Sequence, residues 1–362
     1  MASDLRYDAR ADAPVAPGET IREILRGRAI SQVDFAVRLG KSEKFVSQLI
    51  NGKATLSHES AIELERVLGV PASFWNAAEA LYRDTLARQR LDAKYLEQKE
   101  WAKAFPLKAM RDNEWIARET GPAETVDGVL RYFGVSSPEA WESYWSSPKR
   151  LAARMSLASP ADAKALTAWL RAGELAAQNV ETARFDASAF SSVLARLRQA
   201  TTEHPSAWPE RLESLCAAAG VAIVFVRGVP RTRCYAVSWW AAPDKAVVEL
   251  CLRGKKDDQF WFSFFHEAGH LLLHDRHRAH IHDLDGDPLT EQEADAFARD
   301  LLIPESSWEG FVADRRFSRP RIVEFASEQG IAPGIVVGRL QREKLIPFSH
   351  FNDLKVTIDW SE

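Results

Sequence analysis

The sequence predicts a mainly α-helical chain with one small β-sheet, an α+β arrangement built as more than one domain. Three observations carry that expectation. The 362 residues exceed the usual length of a single domain. Amphipathic blocks headed by capping residues fill the first two hundred positions. After residue 205 come three short β-branched or aromatic runs, followed by apolar helices. The expected division is an N-terminal all-α domain over 14–82, a helical connector over 83–205 and a C-terminal α+β domain over 206–362.

Taken in order, a loose start containing Pro14 and Pro17 leads to an apolar face of Ile21, Ile24 and Leu25. Ser31 then opens SQVDFAVRLG with Asp34 three residues on, Ser42 opens SEKFVSQLING, and Ser57 opens SHESAIELERVLGV, closed by Gly69 before Pro71. These are four or five compact helices. From about Phe74 to Gln199 the pattern stays helical, with breaks at Ser136-Ser137-Pro138 and Ser159-Pro160 and no motif that carries chemistry. A helix from Glu210 to Ala219 leads through Gly220 into VAIVFV, CYAVSWW and AVVELCL, read as strands. DDQFWFSFFHEAGHLLLHD and TEQEADAFARDLLIP read as helices, the second stopped by Pro304. A helix pair around Ile322 to Glu343 and a last strand, LKVTIDW, complete the chain.

Composition narrows the class. At 46% hydrophobic and 27% charged the chain is ordinarily globular, and no apolar run approaches the ~20 residues of a membrane helix. MASDLRYDARADAP lacks the basic and apolar segments of a secretory signal, and Cys216, Cys234 and Cys251 are too few for a disulfide framework. A cytoplasmic location without membrane contact is expected. The net charge of -4 excludes an overall polycation, yet Arg22 to Lys53 holds seven Lys/Arg against three acids, a local basic excess of the kind nucleic acid needs. Twelve Trp with no fixed period are expected as core and interface anchors.

The stretch FFHEAGHLLLH holds the chemistry. On a helix His266 and His270 lie one turn apart on the same side and can hold one ion between them. In H-E-x-x-H sites the glutamate, here Glu267, takes a proton from water whose pKa the zinc has lowered. Catalytic zinc takes about three protein ligands, so another must come from elsewhere. EQEAD downstream offers Glu291 and Asp295 four apart on one face, with Glu293 pointing roughly the other way. Glu291 is the better placed ligand, with Asp295 behind it to receive the second ring N–H of a histidine. His274 continues the stripe, but it rises about 12 Å along the axis from His266, so it is expected behind the ligands or at the surface. His277, His280 and His282 are expected in a solvated polar loop. A buried helix with incidental histidines would explain Phe262, Phe265 and Leu271 to Leu273, but would leave Glu267 and two histidines unpartnered in apolar surroundings at several kcal/mol.

From about Trp208 to the C-terminus, AVVELCLRGKKDDQFWFSFFHEAGHLLLH followed by EQEADAFARDLLIP resembles the ImmA/IrrE metallopeptidases. IAPGIVVGRLQREKLIP looks like the extension of longer members fused to a repressor-type domain. The resemblance implies a gluzincin-like fold, Zn2+ held by His266, His270 and Glu291, and Glu267 as catalytic base of a metalloendopeptidase that cleaves a partner repressor. The segment PGETIREILRGRAISQVDFAVRLGKSEKFVSQLINGKATLSHESAIELERVLGVPASFW resembles HigA-type antitoxins of the XRE helix-turn-helix group. In such a motif Ser31 to Leu39 crosses the DNA backbone and Ser42 to Ile50 enters the major groove. Ser42, Glu43, Lys44, Ser47 and Gln48 are then candidates for base edges, and Gln32, Asn51 and Lys53 for phosphates. The dimeric habit of such motifs implies a homodimer on an inverted-repeat operator. Two functional readings follow. One is a regulator with a working zinc peptidase that cuts a partner regulator or itself. The other is a non-catalytic antitoxin or repressor whose peptidase fold is a sensor or scaffold, with a toxin as partner.

Overall fold

The computed structural model describes residues 15–118, 121–145, 163–230, 232, 234–251, 256–274 and 288–358. MASDLRYDARADAP, the break at Ser159-Pro160 and His277, His280 and His282 lie outside the described residues. Near Gln98 the chain divides into two compact units.

The first unit is all helical: α1 (Pro17–Gly27), α2 (Gln32–Leu39), α3 (Glu43–Ile50), α4 (His58–Leu68) and α5 (Ala72–Glu97). The three expected serine caps are in place, with Ser31, Ser42 and Ser57 accepting from the backbone N–H groups of Asp34, Phe45 and Ser60. Gly40 (φ 67°) and Gly69 (φ 70°) close α2 and α4 in the left-handed conformation. Ile21, Phe35, Val46, Leu49, Leu64, Leu68 and Trp75 form the buried core. Close approach of α1 to the end of α3 depends on Gly18, where an added Cβ would lie 2.2 Å from the Ile50 carbonyl oxygen. Helix α5 continues past Tyr82 as one uninterrupted element.

The second unit begins with α6 (Lys99–Lys103), α7 (Leu107–Asp112), α8 (Pro122–Phe133) and α9 (Pro138–Tyr144), the last capped by Ser137 at the expected break. Helix α10 (Ala163–Gln178) brings the Lys164 ammonium over the rings of Trp101, Phe105 and Trp141 at 5.5, 4.9 and 5.6 Å. After α11 (Ala187–Ala200) and α12 (Pro209–Ala218) come the strands β1 (Val221–Val226), β2 (Ala236–Ala242) and β3 (Lys245–Cys251). Their order is β1-β3-β2, with β1 parallel and β2 antiparallel to β3. Both faces are covered, which is why these strands read as apolar runs instead of alternating ones. Ala222, Val224 and Val247 belong to the core that includes Leu166, Trp169 and Leu170 of α10, while Val221, Ile223 and Val248 belong to the core of α13 (Asp257–Leu273).

The remaining helices are α14 (Pro288–Leu302), α15 (Glu305–Val312), α16 (Arg319–Gln329) and α17 (Pro333–Arg342), the last two forming the expected pair. The expected last strand differs. Asn352–Leu354 is a 3-10 turn, and Thr357 makes a single antiparallel bridge to Lys256. The tail pairs with the start of α13 instead of the sheet: the Asp257 N–H donates to Val356 O at 3.0 Å, and the Val356 N–H donates to Asp257 Oδ1 at 3.0 Å. Trp75, Trp141, Trp169, Trp208, Trp261 and Trp308 are among the largest fully buried side chains, in keeping with core anchoring.

Candidate metal centre and helix-turn-helix surface

Helix α13 has two faces with different tasks. Trp261, Phe264, Phe265, Ala268 and Leu271 are buried in the sheet core, and four-residue spacing leaves Phe262, His266 and His270 along another side. Helix α14 passes close by because Gly269 has no side chain. An added Cβ there would meet Ala294 Cα at 3.2 Å and Phe297 Cδ1 at 3.1 Å. Ala294 and Ala298 are fully buried at this crossing, and the approach carries the acidic first turn of α14 to the histidine pair.

His266 Nε2 and His270 Nε2 are 3.0 Å apart. Glu291 closes the group, with Oε2 3.3 Å from His266 Nε2 and Oε1 3.2 Å from His270 Nε2. One donor atom from each of the three residues lies within 4.8 Å of the others, which is the spacing of a metal-ligating group. The expected neighbours also converge. His266 Nδ1 is 2.9 Å from Asp295 Oδ1. Glu293 does not enter the group and instead reaches His274, with Oε2 3.1 Å from His274 Nε2, while His274 Nδ1 is 3.0 Å from His270 Nδ1. A single assignment of protons satisfies the outer pairs, while the two Nε2 atoms and the Glu291 oxygens face one another as acceptors, an arrangement that a shared cation would relieve. His274 donates through Nε2 to Glu293 and accepts through Nδ1 from His270, and His266 donates through Nδ1 to Asp295, so both histidines would offer an Nε2 lone pair to a cation.

The charge balance fits a cation. Burial opposes the charge on His266, but Asp295, Glu291 and Glu267 outweigh it and push its pKa up to about 10, so a proton holds the place at Nε2 that a cation would take. Burial likewise acts against the Asp295 carboxylate, but His266, Arg342 and Arg299 outweigh it and lower its pKa. For His274, burial and the neighbouring His270 lower it.

Glu267 is buried beside this group and accepts a hydrogen bond on Oε2 from Ser238 Oγ at 2.7 Å. Sequence reasoning did not single out Ser238, although it is the one aliphatic hydroxyl in the run CYAVSWW, which was the available signal. It also missed the His274–Glu293 pairing and Arg342, whose guanidinium lies 5.2 Å from the Phe262 ring centroid.

In the first unit Gln32, Ser42, Glu43, Lys44, Ser47, Gln48, Asn51 and Lys53 are all exposed. Two of them are partly engaged. Ser42 Oγ caps α3, and Asn51 donates from Nδ2 to Ser47 O at 2.7 Å while its Oδ1 accepts from Arg22 Nη2 at 3.4 Å. Glu43, Lys44, Ser47 and Gln48 therefore make up most of the freely presented face of α3.

Comparison with known proteins agrees with this layout. The helix-turn-helix family model matches residues 21–75, and the model of the IrrE N-terminal-like domain, a peptidase family, matches residues 252–328. None of the curated proteins matches the chain. Among solved structures, an addiction module antidote protein of a HigA family from Coxiella burnetii is 22% identical, covering 24% of this chain and 94% of its own, with a TM-score of 0.22. This chain joins an N-terminal domain of the helix-turn-helix family to a C-terminal domain of the IrrE-like peptidase family.

Proposed function

We propose that this protein is a DNA-binding regulator of the antitoxin or repressor type, whose C-terminal domain is a zinc-dependent endopeptidase acting on a partner regulator or on the chain itself. The observation that carries this reading is the convergence of His266, His270 and Glu291 beside buried Glu267. Two imidazole nitrogens and one carboxylate oxygen form a donor set suited to zinc, whereas magnesium and calcium prefer oxygen alone. Zinc bound there supplies a Lewis acid for the peptide carbonyl and lowers the pKa of water. Asp295 and the His274–Glu293 pair orient the two ligand histidines. Glu267 takes the proton of the attacking water and passes it to the leaving amine nitrogen. The hydrogen bond from Ser238 restrains one oxygen of Glu267 and leaves the other for that transfer.

The N-terminal domain, assigned to 14–82, would place α3 in the major groove, with Ser42, Glu43, Lys44, Ser47 and Gln48 at base edges and Gln32, Asn51 and Lys53 at phosphates. A homodimer would read an inverted repeat. The helices of 83–205 would link it to the peptidase domain, 206–362.

Elemental analysis of protein made in zinc-supplemented medium tests the metal centre. About one zinc per chain is expected in the wild type and in Glu267→Gln, and little in His270→Ala. Glu267→Gln should also stop cleavage of whichever protein co-purifies with it. A well-folded wild type without zinc would overturn the metal centre, and undiminished cleavage by Glu267→Gln would remove Glu267 from its role.

A further inference from the structure

We propose that Arg342 forms an anion subsite beside the metal centre, one that receives a carboxylate carried about one residue from the scissile bond of a bound peptide. The proposal rests on the metallopeptidase reading above and adds a substrate class to it.

Phe262 precedes His266 by one helical turn on the same side of α13, so its ring lies about 6 Å along the helix axis from the level of His266, the nearer of the two histidines. The Arg342 guanidinium covers that ring at 5.2 Å from its centroid. An extended peptide advances about 3.3 Å per residue. A side chain or chain end next to the scissile carbonyl can therefore reach the guanidinium. The position over the ring also holds the cation beside the site before any ligand arrives.

Among the described residues Arg342 is not committed elsewhere. Its polar contact is one long approach, Nη2 to Asp295 Oδ2 at 3.6 Å, and its side chain is 67% exposed. Asp295 in turn is tied through Oδ1 to His266 at 2.9 Å. An arginine whose task was to neutralise Asp295 would sit at 2.7–2.9 Å in a paired geometry. Arg339, one turn earlier on α17, shows the structural alternative. Its side chain is 8% exposed and donates to Glu343 Oε1 at 2.8 Å, Glu305 Oε2 at 2.5 Å and Ile303 O at 3.0 Å. Arg342 thus keeps most of its five N–H donors open, next to a centre otherwise lined by the carboxylates of Glu267, Glu291 and Asp295. A carboxylate is the group that uses such a fork in full.

The carboxylate could belong to an acidic side chain or to a free C-terminus, and the test separates them. Binding of three succinyl hydroxamates to the zinc-loaded full chain would be measured by calorimetry: one extended by glycine with a free carboxylate, one by glutamic acid α-amide, one by glutamine α-amide. At least one carboxylate probe should bind about tenfold tighter than the neutral glutamine probe. The probe that shows the gain identifies the source. Arg342→Gln should abolish the gain while leaving zinc content and affinity for the neutral probe unchanged, and Arg342→Lys should restore part of it. Equal affinities of all three probes in the wild type would overturn the subsite. So would a gain that survives Arg342→Gln, including the case where that variant merely weakens zinc retention. If the neutral probe fails to bind the zinc-loaded wild type, the open metal position itself is wrong and the subsite falls with it.

Discussion

Replacing Asp257 by Asn should remove a pH dependence of stability that the fold places at the start of α13. Asp257 is 3% exposed. Its Oδ1 accepts from the N–H groups of Asp258 at 2.9 Å and Val356 at 3.0 Å, while Oδ2 is buried without a partner among the described residues. Burial, and then the charge of Asp258, outweigh those hydrogen bonds and push the carboxyl pKa up to about 7. The other groups around it do not offset this. Lys355 is spent on Asp258 Oδ2 at 2.6 Å, Lys256 donates to Thr357 Oγ1 at 2.9 Å, and α17 presents Gly334 and Gly338, which carry no charge. In the unfolded chain the same carboxyl titrates near 3.9.

A folded pKa raised above the unfolded one means that the contribution is complete below about pH 4 and lost as pH rises through about 7. Three units correspond to at most about 4 kcal/mol, of which about 1.4 kcal/mol is lost between pH 6 and 8.5, where bound zinc should persist. Asn cannot ionise, keeps the acceptor at Oδ1 and leaves that slope out. The assay is urea unfolding of zinc-loaded wild type and variant across that window, followed by zinc release as a probe of the second unit. Differences between the two proteins at each pH cancel the other titrating groups. Identical pH slopes would refute the reasoning.

Three further outcomes are expected. His274→Ala should weaken zinc binding about 10- to 100-fold, as loss of a ligand's outer partner does, with Glu293→Gln weaker in the same direction; chelator competition measures both, and unchanged affinities would show that the pairing has no orienting role. Gly18→Ala should destabilise the first unit by about 1–3 kcal/mol despite alanine's better helix propensity, because its Cβ would fall 2.2 Å from Ile50 O and the opposing backbone must move; a stabilised variant in thermal unfolding would contradict this. In operator binding, Lys44→Ala with Gln48→Ala should flatten sequence preference, whereas Lys53→Ala should weaken all duplexes alike and reduce the salt slope by about one; base-specific loss from Lys53→Ala would reverse those assignments.

Whatever depends on neighbours along the chain was legible in the sequence. The helix caps at Ser31, Ser42 and Ser57 satisfy N–H groups two to three residues away, so their spacing is enough to place them. Four-residue spacing likewise sets His266 and His270 on one side of α13 before any tertiary contact forms. The apolar strands were readable for the opposite reason, since burial on both faces removes alternation and leaves β-branched runs. The last strand was misread because LKVTIDW has strand composition, yet a tail's pairing partner is chosen by what it packs against, here the start of α13.

Tertiary packing decided the rest. Glu291 and Glu293 are equivalent by type, and the four-residue spacing to Asp295 favours Glu291 without fixing the phase of the helix. The close crossing of α13 and α14 at Gly269 and Ala294 sets which one faces the histidines, and helix phase cannot be read from composition. Ser238 reaches Glu267 across 29 residues of chain because β2 and α13 share a core. Arg342 lies in a segment whose amphipathic pattern marks α17 as a helix without showing that its last residue overhangs Phe262. The amino-acid sequence by itself determined the two local motifs and the residue types able to hold a metal or face DNA. The packing of helices distant in the chain brought the favoured carboxylate to the histidines and decided which charge stands beside them, because those distances are set by side chains that meet through space.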